Sequence, residues 1–240
     1  MPELAPFRVV FDSAQLLVVE KPAGVVTHPA YRNLTGTLTD AVEWWMLERD
    51  QQRPWLLHRL DRDTSGLVLF AKTPEAMRYC ARQFIEHTVE KQYLAVIWGN
   101  DLPESGMIDA ALMRDPEDRR RVIVARGGQS AQTRFAIQAR WETCALVALW
   151  PLTGRTHQLR AHLAWLGHPI IGDSVYATEQ PLLAGVTRLL LHAATLTLRA
   201  PSDGGPRLRT FLAPLPDDFL TSLAAATHDQ SSAPPLTPIL

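Results

Sequence analysis

With 240 residues, 46% of them hydrophobic, the chain can bury a sizeable core, which excludes disorder as its general state. Its longest stretch without charged or strongly polar side chains, Cys144 to Leu152, is about half of what a bilayer-spanning helix needs. The 24 basic and 25 acidic residues leave a net charge of −1, so any affinity for nucleic acid has to come from local charge rather than the total.

The start, Met1 to Phe7, lacks the basic-then-apolar order of a secretory signal, and Cys80 and Cys144 support neither a disulfide framework nor a cysteine zinc site. A reducing cytoplasm is the expected compartment. Phe7 to Phe11 and Leu16 to Glu20 are short apolar runs split by Asp12 and Ser13, which predicts a hairpin at a sheet edge, ended by the turn Lys21-Pro22-Ala23-Gly24. Thr37 with Asp40 reads as a helix N-cap, and Leu38, Val42, Trp45 and Met46 recur at helical spacing towards Arg49. A second helix is predicted from Thr73-Pro74, with Met77, Cys80, Ala81 and Phe84 on one face. Strands are expected at 66–71, 92–98, 122–125, 133–139, 145–150 and 189–198, and a short helix near 156–165. Runs of strands with occasional helices favour one α+β domain with a mixed, mostly antiparallel sheet. No linker composition interrupts it, so one domain is expected over 7–223. From about Ala224 the serines and prolines suggest a frayed, flexible tail over 224–240.

Four segments are denser in polar groups than a sheet scaffold requires. His58-Arg59-Leu60-Asp61-Arg62-Asp63-Thr64-Ser65-Gly66 precedes an apolar strand, where a loop can hold a carboxylate against arginine donors and fix its direction. The alternative is a turn capped by Asp61 or Asp63, with Arg59 and Arg62 in surface pairs. Thr153 to Arg160 would form a cationic cup if a helix starts near Thr156, with Arg155 at its mouth and His157, Arg160 and Ala161 on one face. His157 and His162 are five apart, the wrong spacing for an i, i+4 metal pair, so no metal is expected. Tyr93 starts an apolar strand and could stack on a planar ligand or simply pack. Lys21 and His28 flank a tight turn and could meet phosphate. The 24 cations are 21 Arg and only Lys21, Lys72 and Lys91, and the stretch Arg114 to Arg140 carries seven arginines against Asp115, Glu117 and Asp118. That stretch is either an RNA contact or a loop whose charges answer one another.

In order along the chain, Val19 to Gly24, His58 to Asp61 with Thr64 to Gly66, Lys91 to Tyr93, Gly154 to Arg160, Gly172-Asp173 with Tyr176, and Leu191 to Ala193 resemble the motifs of the RluA family of pseudouridine synthases. The resemblance covers about Phe7 to Ala200. Ala177 stands where the family often has Gly, and the first catalytic-domain strand begins too early for the S4-like domain many relatives carry. A catalytic domain alone is therefore expected, with a central RNA-binding cleft in a pseudouridine-synthase-like fold. The resemblance implies isomerisation of uridine to pseudouridine in ribosomal or transfer RNA, by a monomer needing no metal or organic cofactor. It implies Asp61 as nucleophile, attacking C1′ or C6, with Arg155 as the ion-pair partner that aims it and Tyr93 stacked on the uracil. Arg59, Lys21, His28, His157 and Arg160 are the implied RNA contacts. Two other readings are a nucleoside or glycoside hydrolase, for which a second site carboxylate is missing, and a non-catalytic RNA-binding or ribosome-assembly protein, which would tolerate loss of Asp61.

Overall fold

The structure, a computed structural model, describes residues 5–29, 34–202 and 204–227. It falls into two compact units, each assembled from separate stretches of chain: Met1–Gln92 with His192–Pro214, and Tyr93–Leu191 with Leu215–Leu240. The chain changes units inside two strands, from Gln92 to Tyr93 and from Leu191 to His192, where no linker composition marks the division, and once more between a strand and a helix, at Pro214 and Leu215. The architecture is α+β, with mixed, mostly antiparallel sheet.

In the first unit, β1 (Arg8–Asp12) and β2 (Leu16–Lys21) form the expected hairpin at a sheet edge, closed by Ser13, whose Oγ accepts the Leu16 amide. β2 runs antiparallel along the whole of β4 (Ser65–Ala71), from Leu16 opposite Ala71 to Lys21 opposite Gly66. On the other edge of β4 lie β11 (Leu191–Ala200), parallel at Ser65 and Gly66, and the two-residue β3 (Trp55–Leu56), antiparallel at Phe70 and Ala71. β12 (Arg207–Leu212) then pairs with β11. All seven residues of β4 are buried, which explains its unbroken apolar sequence.

Helix α1 (Leu38–Leu47) begins with the predicted cap: Thr37 Oγ1 accepts the Asp40 amide and the Asp40 carboxylate accepts the Thr37 amide. Helix α2 (Pro74–Ile85) begins at Thr73, with Pro74 at a position whose amide would be unsatisfied in any case. It lays Ala76 and Cys80 on Leu16, Val18, Leu67 and Leu69.

In the second unit, β5 (Glu90–Trp98), β10 (Cys144–Pro151), β9 (Gln132–Arg140) and β6 (Ser105–Asp109) form an antiparallel run in that order. A small hairpin, β7 (Leu112–Arg114) and β8 (Val122–Val124), stands apart from it. Helix α3 (Gln158–Trp165) and helix α4 (Asp217–Thr227) bury Leu159, Leu163, Phe219, Leu223 and Ala226 in the same core as β5 and β10. The expected tail boundary at Ala224 is therefore corrected: α4 continues to Thr227 because Ala226 is a core residue. The rest of that expectation, 228–240, lies outside the described residues. No helix among the described residues is long and apolar enough to cross a membrane.

Candidate active site

The segment that carries Asp61 leaves the edge of β4 after Leu57 and returns to begin β4 at Ser65. Its apex is a turn in which the Thr64 amide donates to the Asp61 carbonyl, and the Asp61 side chain is half-buried. Four tethers hold this loop within the first unit. Thr27 Oγ1 donates to the Leu60 carbonyl at 2.7 Å and accepts the Leu60 amide, while the Thr27 carbonyl takes the Thr39 amide at the start of α1. The Lys21 ammonium, 0% exposed, donates to the carbonyls of Pro22, Val25 and Arg62 at 2.7–2.9 Å. Arg62 Nε donates to the Gly24 carbonyl. Ser65 and His192 are joined at 2.7 Å through Oγ and Nδ1, and His192 Nε2 lies 3.2 Å from the Ala213 carbonyl. Since a carbonyl only accepts, Nε2 carries the proton and Nδ1 accepts from the serine.

Gly66 permits the last of these arrangements. Its φ is +115°, and a Cβ there would stand 2.3 Å from the Ala193 carbonyl oxygen. The parallel pairing of β4 and β11 thus requires glycine at that register.

In the second unit, β9, β10 and α3 present Arg155. Gln158 Oε1 accepts the Arg155 amide and the Thr153 hydroxyl, and its Nε2 donates to the Gln132 carbonyl and to Thr133 Oγ1. The Arg155 guanidinium is exposed, with Nε on the Ser130 carbonyl at 3.1 Å. Behind this loop, buried His162 bridges Thr133 Oγ1 and the Ala110 carbonyl, and burial lowers its pKa. Arg160 and Asp173 form a buried, two-pronged ion pair, both contacts 2.7 Å. Asp173 also accepts the amides of Val175 and Tyr176, which aims Tyr176 so that its hydroxyl bonds both backbone groups of Val122 and approaches His157 Nδ1 at 3.2 Å. The hairpin β7–β8 is thereby pinned to the turn that carries Tyr176, which Asp173 in turn ties to Arg160 of α3. Gly172, with φ +78°, lets the turn before Asp173 pass where a Cβ would meet the Arg188 carbonyl at 2.0 Å.

The model of the RNA pseudouridylate synthase family matches residues 15–165, which include the Asp61 loop, Tyr93 and the Arg155 loop. The chain belongs to this family. A protein named ribosomal large subunit pseudouridine synthase D, from Nitrosomonas europaea, is 37% identical over 93% of the chain, which covers 66% of that relative. An RNA pseudouridine synthase of Chlorobaculum parvum is also 37% identical, over 91% of the chain and 73% of the relative. The chain thus spans about two thirds to three quarters of the length of these two relatives. Among solved structures, human RNA pseudouridylate synthase domain containing 4 superposes with a TM-score of 0.75 at 25% identity, covering 91% of this chain and 92% of that one. Membership in the pseudouridylate synthase family places the chain in a class of isomerases that act on RNA.

Within that family framework the expected site residues divide by their surroundings. Arg59 is exposed beside Asp61, with no ion-pair or hydrogen-bond partner among the described residues. His28 is half-buried next to the Thr27 tether, and Tyr93 is half-buried within β5, opposite Leu149 of β10. Direct phosphate contact is corrected for two residues. The Lys21 protons are used by three carbonyls beneath the surface, and the Arg160 guanidinium is 5% exposed and held by Asp173. The predicted cationic cup also changes shape. His157 adopts a left-handed conformation at φ 53°, so α3 starts at Gln158 and Arg160 turns inward, leaving Arg155 exposed on the preceding loop. The sequence gives no role to Thr27, His58, Ser65, Gln158 or His192. Only a hint in their motif positions could have raised them. Among the described residues no group of three or more His, Cys, Asp or Glu side chains is arranged to hold a metal.

Proposed function

We propose that this chain converts uridine to pseudouridine at specific positions of a structured ribosomal or transfer RNA, with Asp61 as nucleophile. The net reaction is an isomerisation: the N1–C1′ bond breaks, C5 bonds to C1′, the C5 proton is lost and N1 gains one. A carboxylate that attacks C1′ or adds to C6 is released at the end, so the reaction needs neither oxidant nor co-substrate. The observation that supports Asp61 most is the rigidity of its mounting. A half-buried carboxylate at the tip of a loop tied by Lys21, Thr27 and the Ser65–His192 pair is preorganised, which is how a nucleophile avoids reorganisation during the reaction.

Exposed Arg59 contacts the RNA as the target nucleotide leaves its stack, with His28 and His157 as further contacts. Tyr93 stacks on the uracil, and Arg155 offers the planar, forked guanidinium that suits pairing with a carboxylate nucleophile. The protein works as a cytoplasmic monomer without metal or organic cofactor. The relatives named as ribosomal large subunit synthases favour ribosomal RNA as the substrate. Mapping pseudouridine in RNA from cells lacking the protein, then restoring the lost sites with purified protein in the presence of a chelator, tests the reading. Sites that vanish and return support it; an unchanged map overturns it.

A further inference from the structure

His58 lies three residues before Asp61, at the point where the loop leaves the sheet. β2 occupies one whole edge of β4, so everything else that pairs with β4 shares the opposite edge. There β11 pairs at Ser65 and Gly66, β3 pairs at Phe70 and Ala71, and the Leu57 amide donates to the Leu69 carbonyl. Continued antiparallel pairing would send the Leu69 amide back to Leu57. Instead that amide donates to His58 Nε2 at 3.2 Å. Leu69 is 0% exposed, so water does not serve as a replacement acceptor. The His58 ring also stacks on Phe84 of α2, centroids 5.2 Å apart at 27°.

We infer that His58 is a positioning residue for Asp61: its neutral imidazole takes the amide that strand pairing abandons, and so fixes the direction in which the loop departs. The inference rests on Asp61 being the nucleophile. Phe84 sets the plane of the ring and the Leu69 N–H sets its rotation within that plane, which leaves the first residue of the loop no freedom to swing. An accepting Nε2 puts the proton on Nδ1. Burial, with Lys91 nearby adding its positive charge, pushes the imidazole down to about 3, so the ring stays an acceptor throughout the neutral range.

Three variants test this, with single-turnover pseudouridine formation, RNA affinity, Leu69 amide exchange and imidazole nitrogen-15 shifts as readouts. His58→Phe keeps the ring against Phe84 but removes the acceptor. It is expected to lower the single-turnover rate between about ten- and a hundredfold, the scale of a small misplacement of a reacting group, with RNA affinity within about twofold and faster exchange at Leu69. His58→Gln puts an oxygen where Nε2 stands and recovers the rate to within about threefold of wild type. His58→Asn puts its oxygen at the nearer ring position, short of Leu69, and stays impaired, a contrast that holds even if His58→Phe does not fold. A His58→Phe rate within twofold of wild type, equal rates for the Gln and Asn variants, or a His58 ring that titrates near its ordinary value would each overturn the inference. An active Asp61→Asn enzyme would remove the nucleophile reading on which it rests, but would leave the ring tautomer and the Leu69 exchange as they are, so the two failures are separable.

Discussion

Gly66→Ala places a methyl where the main chain of Ala193 already stands. The added Cβ would be 2.3 Å from the Ala193 carbonyl oxygen, 2.7 Å from its nitrogen and 2.8 Å from its carbonyl carbon. None of these atoms belongs to a side chain that can rotate away, so β11 has to move off β4 by roughly an ångström, forfeiting the His192/Ser65 and Ala193/Gly66 pairing. The φ of +115° adds strain of about 1–3 kcal/mol for any residue with a Cβ. Loosening two or more hydrogen bonds, the 2.7 Å Ser65–His192 bond among them, costs about 0.5–1.5 kcal/mol each. Together these predict a loss of about 3–5 kcal/mol, a large share of the stability of an ordinary domain. Urea unfolding followed by circular dichroism measures it. Gly154→Ala is the control: nothing lies within 4 Å of a Cβ there, and a change within about 0.5 kcal/mol is expected. A Gly66→Ala protein within about 1 kcal/mol of wild type would refute the claim that this register demands glycine.

Arg155→Lys keeps the charge and loses the planar fork, and is expected to lower turnover at least about tenfold; unaltered turnover would make Arg155 an ordinary surface cation. RNA affinity should fall with salt despite the net charge of −1. Replacing Arg114, Arg119 and Arg126, exposed and without an ion pair among the described residues, should reduce the log–log salt slope by up to about 0.7–0.9 per lost phosphate contact. Replacing Arg120 and Arg121, held by Asp118 and Asp115, should change it less, and equal effects would refute that division. Acid stability carries the signature of His58. Its folded value of about 3 lies below the ordinary 6.5, so as pH falls through that window the unfolded chain takes up a proton the folded chain refuses, and stability drops by up to about 1.4 kcal/mol per pH unit. Comparing urea midpoints at pH 7 and 5, wild type should lose about 2 kcal/mol more than His58→Phe; identical losses would mean that the ring is not held neutral.

Local signals carried much of the fold. Thr37 with Asp40, and Thr73 with Pro74, mark helix starts through bonds made within four residues, so sequence alone suffices to place them. β4 and β10 are legible because both faces are buried and the apolar run is unbroken. β6, β7, β12 and α4 are not anticipated. β12, Arg-Leu-Arg-Thr-Phe-Leu, is nearly all exposed and is a strand only because β11 lies beside it, a partner no local pattern reveals. The site divides in the same way. Asp61, Tyr93 and Arg155 are singled out by the company they keep in the chain. The burial of Lys21 and Arg160 is not legible, because it depends on Arg62 and Asp173, distant carbonyl and carboxylate partners. In a chain with 21 arginines, residue type does not tell a structural guanidinium from one that meets RNA.

The most direct test of the account is the single-turnover rate of pseudouridine formation by Asp61→Asn, measured beside its RNA affinity and urea midpoint. Asn keeps the size and shape of the side chain, and the turn at Asp61 is closed by its backbone carbonyl, so folding and binding should stay close to wild type. The rate should fall by several orders of magnitude, the usual consequence of removing a covalent catalyst. A variant that folds, binds RNA and still retains a tenth of the wild-type rate would contradict the assignment of Asp61 as the nucleophile.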